Sequence, residues 1–360
     1  MKPATRSKTR FKSIDALRGI AALLVLLLHV SQVFLQSKKI AATGLGMLDF
    51  IKVIDLGRIG ITIFFIISGF VICKSFNSKE KELKSFVIKR FFRLYPLFWF
   101  SLIVGAFVLW PIGKQHLDLG ILAGNATMIP AFFGQPFVIG LYWTLETELL
   151  FYILMSALYF FGVLRNSSVI LGLTLLCYAA LVIFMFVPAT QPSLPHWMAT
   201  PYHLSLMLLG VSMRYAFDER EDEARLSRRR IATLHLLLLL AIPFYIIASY
   251  LLRGIDANLP DAIAYLIGIS IFVIGLKALR SAPSYLVYLG TISYSIYLLH
   301  PIVFTLVRKA VLQVPALYGL HISFYLTICT VLTIIFSALT YKLIEAPANA
   351  IGKKLAQRNT

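Results

Sequence analysis

Three stretches carry the residues that could do chemistry. In SIDALRGIAALLVLLLHVSQVF, Arg18 and His29 stand eleven residues apart. On a helix they return to within roughly 20° of the same face, about 16 Å apart along the axis. In KRFFRLYPLFW, Arg90 and Arg93 are three apart and so neighbours on one helical face. Paired guanidiniums suit bidentate binding of phosphate. In LYWTLETELLFYIL, Glu148 places a carboxylate inside an apolar run, about 12 Å from its start if the run is helical. A carboxylate that meets an imidazole can orient it and stabilise its protonated form, as a base and its orienting partner do. Structural roles compete with each of these. Arg18 can pair with Asp15, His29 can bond between helices, and interfacial arginines can snorkel to lipid headgroups.

The elements that position these residues follow from composition. The chain has 360 residues, 59% apolar and only 14% charged, yet its formal net charge is +18. Soluble domains carry nearer a quarter charged residues, and a nucleic-acid binder would set its basic groups among many more polar ones. The 13% aromatic content excludes disorder. A polytopic all-α membrane protein remains. Cys73, Cys177 and Cys329 are scattered in apolar stretches and form neither a disulfide framework nor a metal spacing, so no metal is expected.

A membrane-crossing helix needs about 20 mostly apolar residues. Ten stretches qualify: 14–35, 54–76, 92–110, 140–163, 168–188, 200–217, 231–252, 261–280, 285–312 and 320–345. The stretch 115–135 is broken by Gly, Asn and Pro and is expected to be interfacial or re-entrant. With ten crossings both termini share a side. Of the 34 basic residues, 26 fall on that side, which the positive-inside rule makes the cytoplasm. The division expected is a basic tail 1–13, a membrane domain 14–347 and a tail 348–360.

Lesser signals remain open. Ser68-Gly69 suits close helix packing, Glu146 suits a water-filled outer cavity, and His300 suits either a structural bond or acceptor binding. His116, His196, His203, His235 and His321 have no recurring partner and stay unassigned.

Arg18-x10-His29, SGF in the second span, Arg90-x-x-Arg93 before Tyr95-Pro96, WTLETELLFY, SYSIYLLHP and YKLIEAP together resemble the membrane acyltransferase-3 family, from about residue 13 to 347. Thr144 replaces the family's usual Ser after Trp, and Leu149 stands where a second Glu is common. The resemblance implies an inner-membrane O-acyltransferase. It would move an acyl group, acetyl by default, from cytoplasmic acyl-CoA to a hydroxyl of a cell-surface or polyprenyl-linked carbohydrate. It implies Arg18, Arg90 and Arg93 as the acyl-CoA site, with the pantetheine arm spanning the Arg18–His29 distance, and His29 and Glu148 as the catalytic pair. Acyl-CoA is then a co-substrate, with no permanently bound cofactor, and membrane lipids are the other partners. The oligomeric state, a homo-oligomer included, stays open, as do direct transfer and an acyl-histidine intermediate. Some family members continue into a soluble hydrolase-like domain, which is not expected in a sequence ending at Thr360. The rival reading is a proton-coupled glycolipid or polysaccharide transporter, because buried His and Glu also serve as proton relays. No inverted repeat supports it.

Overall fold

The computed structural model describes residues 12–44, 46, 50, 53–76, 82–109, 118–185, 199–217, 224–253 and 259–358. The first eleven residues of the expected basic tail, His116, His196 and part of the 214–230 loop lie outside these. Among the described residues the structure is helical, with one isolated parallel bridge, Thr43 to His321.

The chain runs through α1 (Lys12–Leu35), α2 (Leu56–Ile72), α3 (Glu82–Val108), the short α4 (Leu119–Ala126) and α5 (Trp143–Phe160). It continues through α6 (Ser167–Met185), α7 (Thr200–Ala216), α8 (Ala224–Arg253) and α9 (Leu259–Ala278). Then come α10 (Ser284–Thr291), α11 (Ser293–Val311), α12 (Ile322–Thr340), a π-helical turn Tyr341–Glu345 and α13 (Ala346–Arg358). A helix thus lies in each of the ten expected stretches. Length and apolarity by themselves qualify five of the described helices as membrane-crossing, or six if α10 and α11, bent by 71° at their junction, make one span. Several of the rest are shorter apolar helices, α2 among them.

Local chemistry explains the ends. Asp55 caps α2 by accepting from the Arg58 backbone N–H at 2.8 Å, Asp118 caps α4 through Ile121 at 2.7 Å, and His321 caps α12. Helices in lipid gain little from hydrophobic association with one another, so close backbone approach at small residues becomes the main means of packing. A Cβ on Gly290 would overlap the Asp15 carbonyl, and one on Gly69 would overlap the carbonyl of Met207 in α7. Ser68-Gly69 therefore does serve packing, as the sequence suggests.

The first helix occupies the centre. It packs against α2, α9, α10, α11 and α12, and Leu17, Ala21, Val25 and Val30 are fully buried along it. A central helix presents Arg18 and His29 to neighbouring helices.

The stretch 118–135 forms no continuous long helix. After α4 it makes a 3-10 turn, Pro130–Phe133, and reverses at Gly134 with φ +65. Tyr95 and Trp99, midway along α3, donate to the carbonyls of Thr127 and Ala126 at 3.0 Å each. Asn125 ties the returning strand of chain down: its amide donates to the Pro136 carbonyl at 2.8 Å and its carbonyl accepts from the Val138 N–H at 3.0 Å. These bonds meet backbone groups that an apolar environment would otherwise leave unpaired.

Candidate functional site

Arg18 of α1, Arg93 of α3 and Glu148 of α5 come together on one open cleft, with about 600 Å³ of empty space. Ser68 and Tyr294 also line it, and at its far part stand Thr144 and Tyr297. Five separate stretches of the sequence, in α1, α2, α3, α5 and α11, therefore converge there. Arg18 also lies 3.9 Å from Asp15, so its anchoring pair exists alongside its place in the cleft.

Arg90 does not line the cleft. Its guanidinium donates to Tyr152 Oη at 3.3 Å and to Ser75 Oγ at 3.1 Å, and sits 4.9 Å over the Tyr152 ring. Tyr152 Oη in turn donates to Glu148 Oε1 at 2.5 Å, and Ser68 Oγ donates to the same oxygen at 3.3 Å. The result is a connected chain, Arg90 to Tyr152 to Glu148, with Ser68 closing it from α2.

Glu148 is thus not brought to His29, which corrects the expected pairing. The reason is where α5 begins. Tyr142 meets Ser101 of α3 at 2.8 Å, and Tyr152 meets Arg90 of the same antiparallel helix. That register sets Glu148 at the level of Leu94, beside the arginines. The turn-rich stretch before Trp143 carries the chain inward before the helix starts, so counting depth from residue 140 as if at the surface misplaces the carboxylate.

The partner of His29 is His300 of α11. Their Nδ1 and Nε2 atoms are 3.0 Å apart, and the rings stack at 5.1 Å between centroids with 21° between planes. Neither histidine lines the cleft. Tyr297 connects the two regions: it lines the cleft, bonds Thr144 Oγ1 at 2.7 Å, and its ring centroid is 6.0 Å from that of His300.

Two further acids are buried. Glu345, in the π-helical turn, accepts from Ser295 Oγ at 2.8 Å and lies within electrostatic reach of Arg93 and Arg18. Its signal in the sequence is an acid in YKLIEAP, at the end of the last apolar stretch. Glu146, expected in a water-filled cavity, is 6% exposed, because the returning 3-10 segment near Ala131 covers it.

Among the described residues, His203, His235 and His321 find structural bonds. His235 bonds Thr174 and Ser212 at 2.9 Å each. His203 bonds Tyr265 at 2.9 Å, within a cluster in which Arg58 pairs with Asp261 at 2.9 Å.

Comparison with known proteins adds the following. The acyltransferase-3 family model, described as an acyltransferase domain, matches residues 11–342. The peptidoglycan O-acetyltransferase OatA of Listeria monocytogenes is 25% identical, over 98% of this chain and 58% of that protein. The acyltransferase MdmB of Streptomyces mycarofaciens is 26% identical over 40% of this chain and 38% of its own length. The chain thus spans less than two thirds of either relative. No solved structure matches.

Proposed function

The chain belongs to the acyltransferase-3 family, and from that membership we propose that it is a membrane O-acyltransferase. It moves an acetyl group from cytoplasmic acetyl-CoA to a hydroxyl of a cell-surface or polyprenyl-linked carbohydrate. The observation that carries this reading is the continuity of the site. A cleft with Arg18 and Arg93 on its wall reaches Tyr297, and Tyr297 adjoins the His300–His29 pair. The peptidoglycan acetyltransferase named among the relatives supports carbohydrate as the acceptor class.

In this proposal Arg93 and Arg18 hold the anionic end of the donor. Arg90 acts from behind, by fixing Tyr152 and through it Glu148. The pantetheine arm follows the cleft toward Tyr297, and the thioester reaches the neighbourhood of His29. His29 Nε2 takes the proton of the acceptor hydroxyl as its oxygen attacks the thioester carbonyl. The C–S bond breaks, and the departing thiolate recovers the proton from the imidazolium. Ten spans, both termini in the cytoplasm and an inner-membrane location complete the proposal. They are supported by the helix in each expected stretch and by the side carrying 26 of the 34 basic residues.

The test uses the purified full chain in lipid vesicles, with acetyl-CoA labelled in the acetyl group. Peptidoglycan strands and a polyprenyl-linked disaccharide serve as acceptors. Alkali-labile label on sugar is the expected result. Label that stays on CoA while the glycolipid crosses the bilayer would establish transport in its place.

A further inference from the structure

His300 was left undecided by the sequence, and its geometry decides more than its own role. Its Nδ1 lies 3.2 Å from the Ile296 carbonyl, and a carbonyl can only accept. The ring is 1% exposed, lies between Tyr297 and Phe304, and touches no carboxylate among the described residues. An unpaired cation there would be costly, so His300 is neutral with its single proton on Nδ1. Its Nε2 then holds a lone pair. The 3.0 Å contact with His29 Nδ1 is a hydrogen bond only if His29 donates. His29 therefore carries its proton on Nδ1 and keeps Nε2 unprotonated, which is the form a general base requires.

We propose that His300 is the positioning residue for His29, filling the place that the sequence gives to Glu148. The inference rests on the reading of His29 as the general base. When the acceptor's proton arrives on His29 Nε2, the Nδ1 proton stays where it is. The bond to His300 becomes charge-assisted and strengthens as the imidazolium forms. No proton passes to His300, whose own Nδ1 proton remains on the Ile296 carbonyl. The Val25 carbonyl, one turn before His29 on α1, also lies within reach of the His29 ring. Loss of His300 thus loosens the imidazole without inverting its tautomer.

The test compares four variants of the full chain in vesicles, with labelled acetyl-CoA and peptidoglycan strands, after checking insertion and thermal melting. Gln carries a polar atom near the place of His Nε2, whereas Asn carries one near Nδ1. His300→Phe and His300→Asn should lower kcat roughly tenfold to a hundredfold, less than the roughly hundredfold to ten-thousandfold that general-base catalysis contributes because His29 itself remains, with KM for acetyl-CoA unchanged. His300→Gln should recover a large part of that loss. His29→Ala should lose roughly a hundredfold to ten-thousandfold in kcat. Wild-type kcat in His300→Phe, or equal kcat in the Gln and Asn variants, would overturn the positioning role and leave the base assignment standing. An active His29→Ala would overturn the base assignment itself. If the Phe variant does not insert, the Gln and Asn pair decides alone.

Discussion

At the scale of single residues, Glu148 separates two accounts of the site by kinetics. Its Oε1 accepts from both Tyr152 and Ser68, and Tyr152 is held by Arg90. Removing the carboxylate strands the tyrosine hydroxyl and loosens the arginine behind it. Glu148→Ala should therefore raise KM for acetyl-CoA by roughly tenfold or more, the factor for losing a charge-assisted hydrogen bond, with a smaller fall in kcat. Had the carboxylate oriented His29, kcat would fall and KM would hold. Steady-state kinetics at varied acetyl-CoA distinguishes the two. The arginines and His29 were legible in the sequence because ionisable residues in apolar spans stand out whatever the fold. Asp15 beside Arg18 was legible too, three residues away on one helix, but the partners of Arg90 and His29 were not. Partnership depends on relative helix depth, and that depends on where α5 starts.

Elements were easier to read than their junctions. All ten apolar stretches hold helices because continuous Leu, Ile, Val and Phe runs leave the backbone few other ways to satisfy its hydrogen bonds in lipid. The 71° bend between α10 and α11 was not visible. Pro301 lies inside α11, and the break falls earlier, at Ile292, before α11 begins. Its consequence is that α10 lies against the start of α1, where Gly290 meets the Asp15 carbonyl and Gly19 meets that of Leu286. Gly290→Ala inserts a Cβ into backbone that cannot yield locally. The expected cost is about 1–3 kcal/mol, the usual range for overpacking a core, seen as a lower melting temperature in detergent. Because Arg18 is one turn beyond Asp15, the same variant should weaken acetyl-CoA binding. An unchanged melting temperature would show that the two helices part more readily than their contact suggests.

Across the whole molecule, charge and cavity belong to one arrangement. The excess that gives +18 falls mostly in the two ends of the chain and in alternate junctions between the apolar stretches, and two of its arginines, Arg18 and Arg93, line the cleft. A basic face drawn toward anionic solutes and a cleft lined by guanidiniums suit a polyphosphorylated donor. The histidine pair lies beyond Tyr297, out of the cleft, so the guanidiniums and the paired imidazoles are separated in space. That separation was visible in the sequence as the eleven-residue spacing from Arg18 to His29. The central packing of α1, which makes both ends of that interval face protein, was not. The most direct measurement is the kcat for transfer of labelled acetyl from acetyl-CoA to glycan hydroxyls by wild type and His29→Ala, side by side. The variant, correctly inserted, is predicted to lose roughly a hundredfold to ten-thousandfold in kcat while KM for acetyl-CoA stays near that of wild type. Full transfer by His29→Ala would contradict the account.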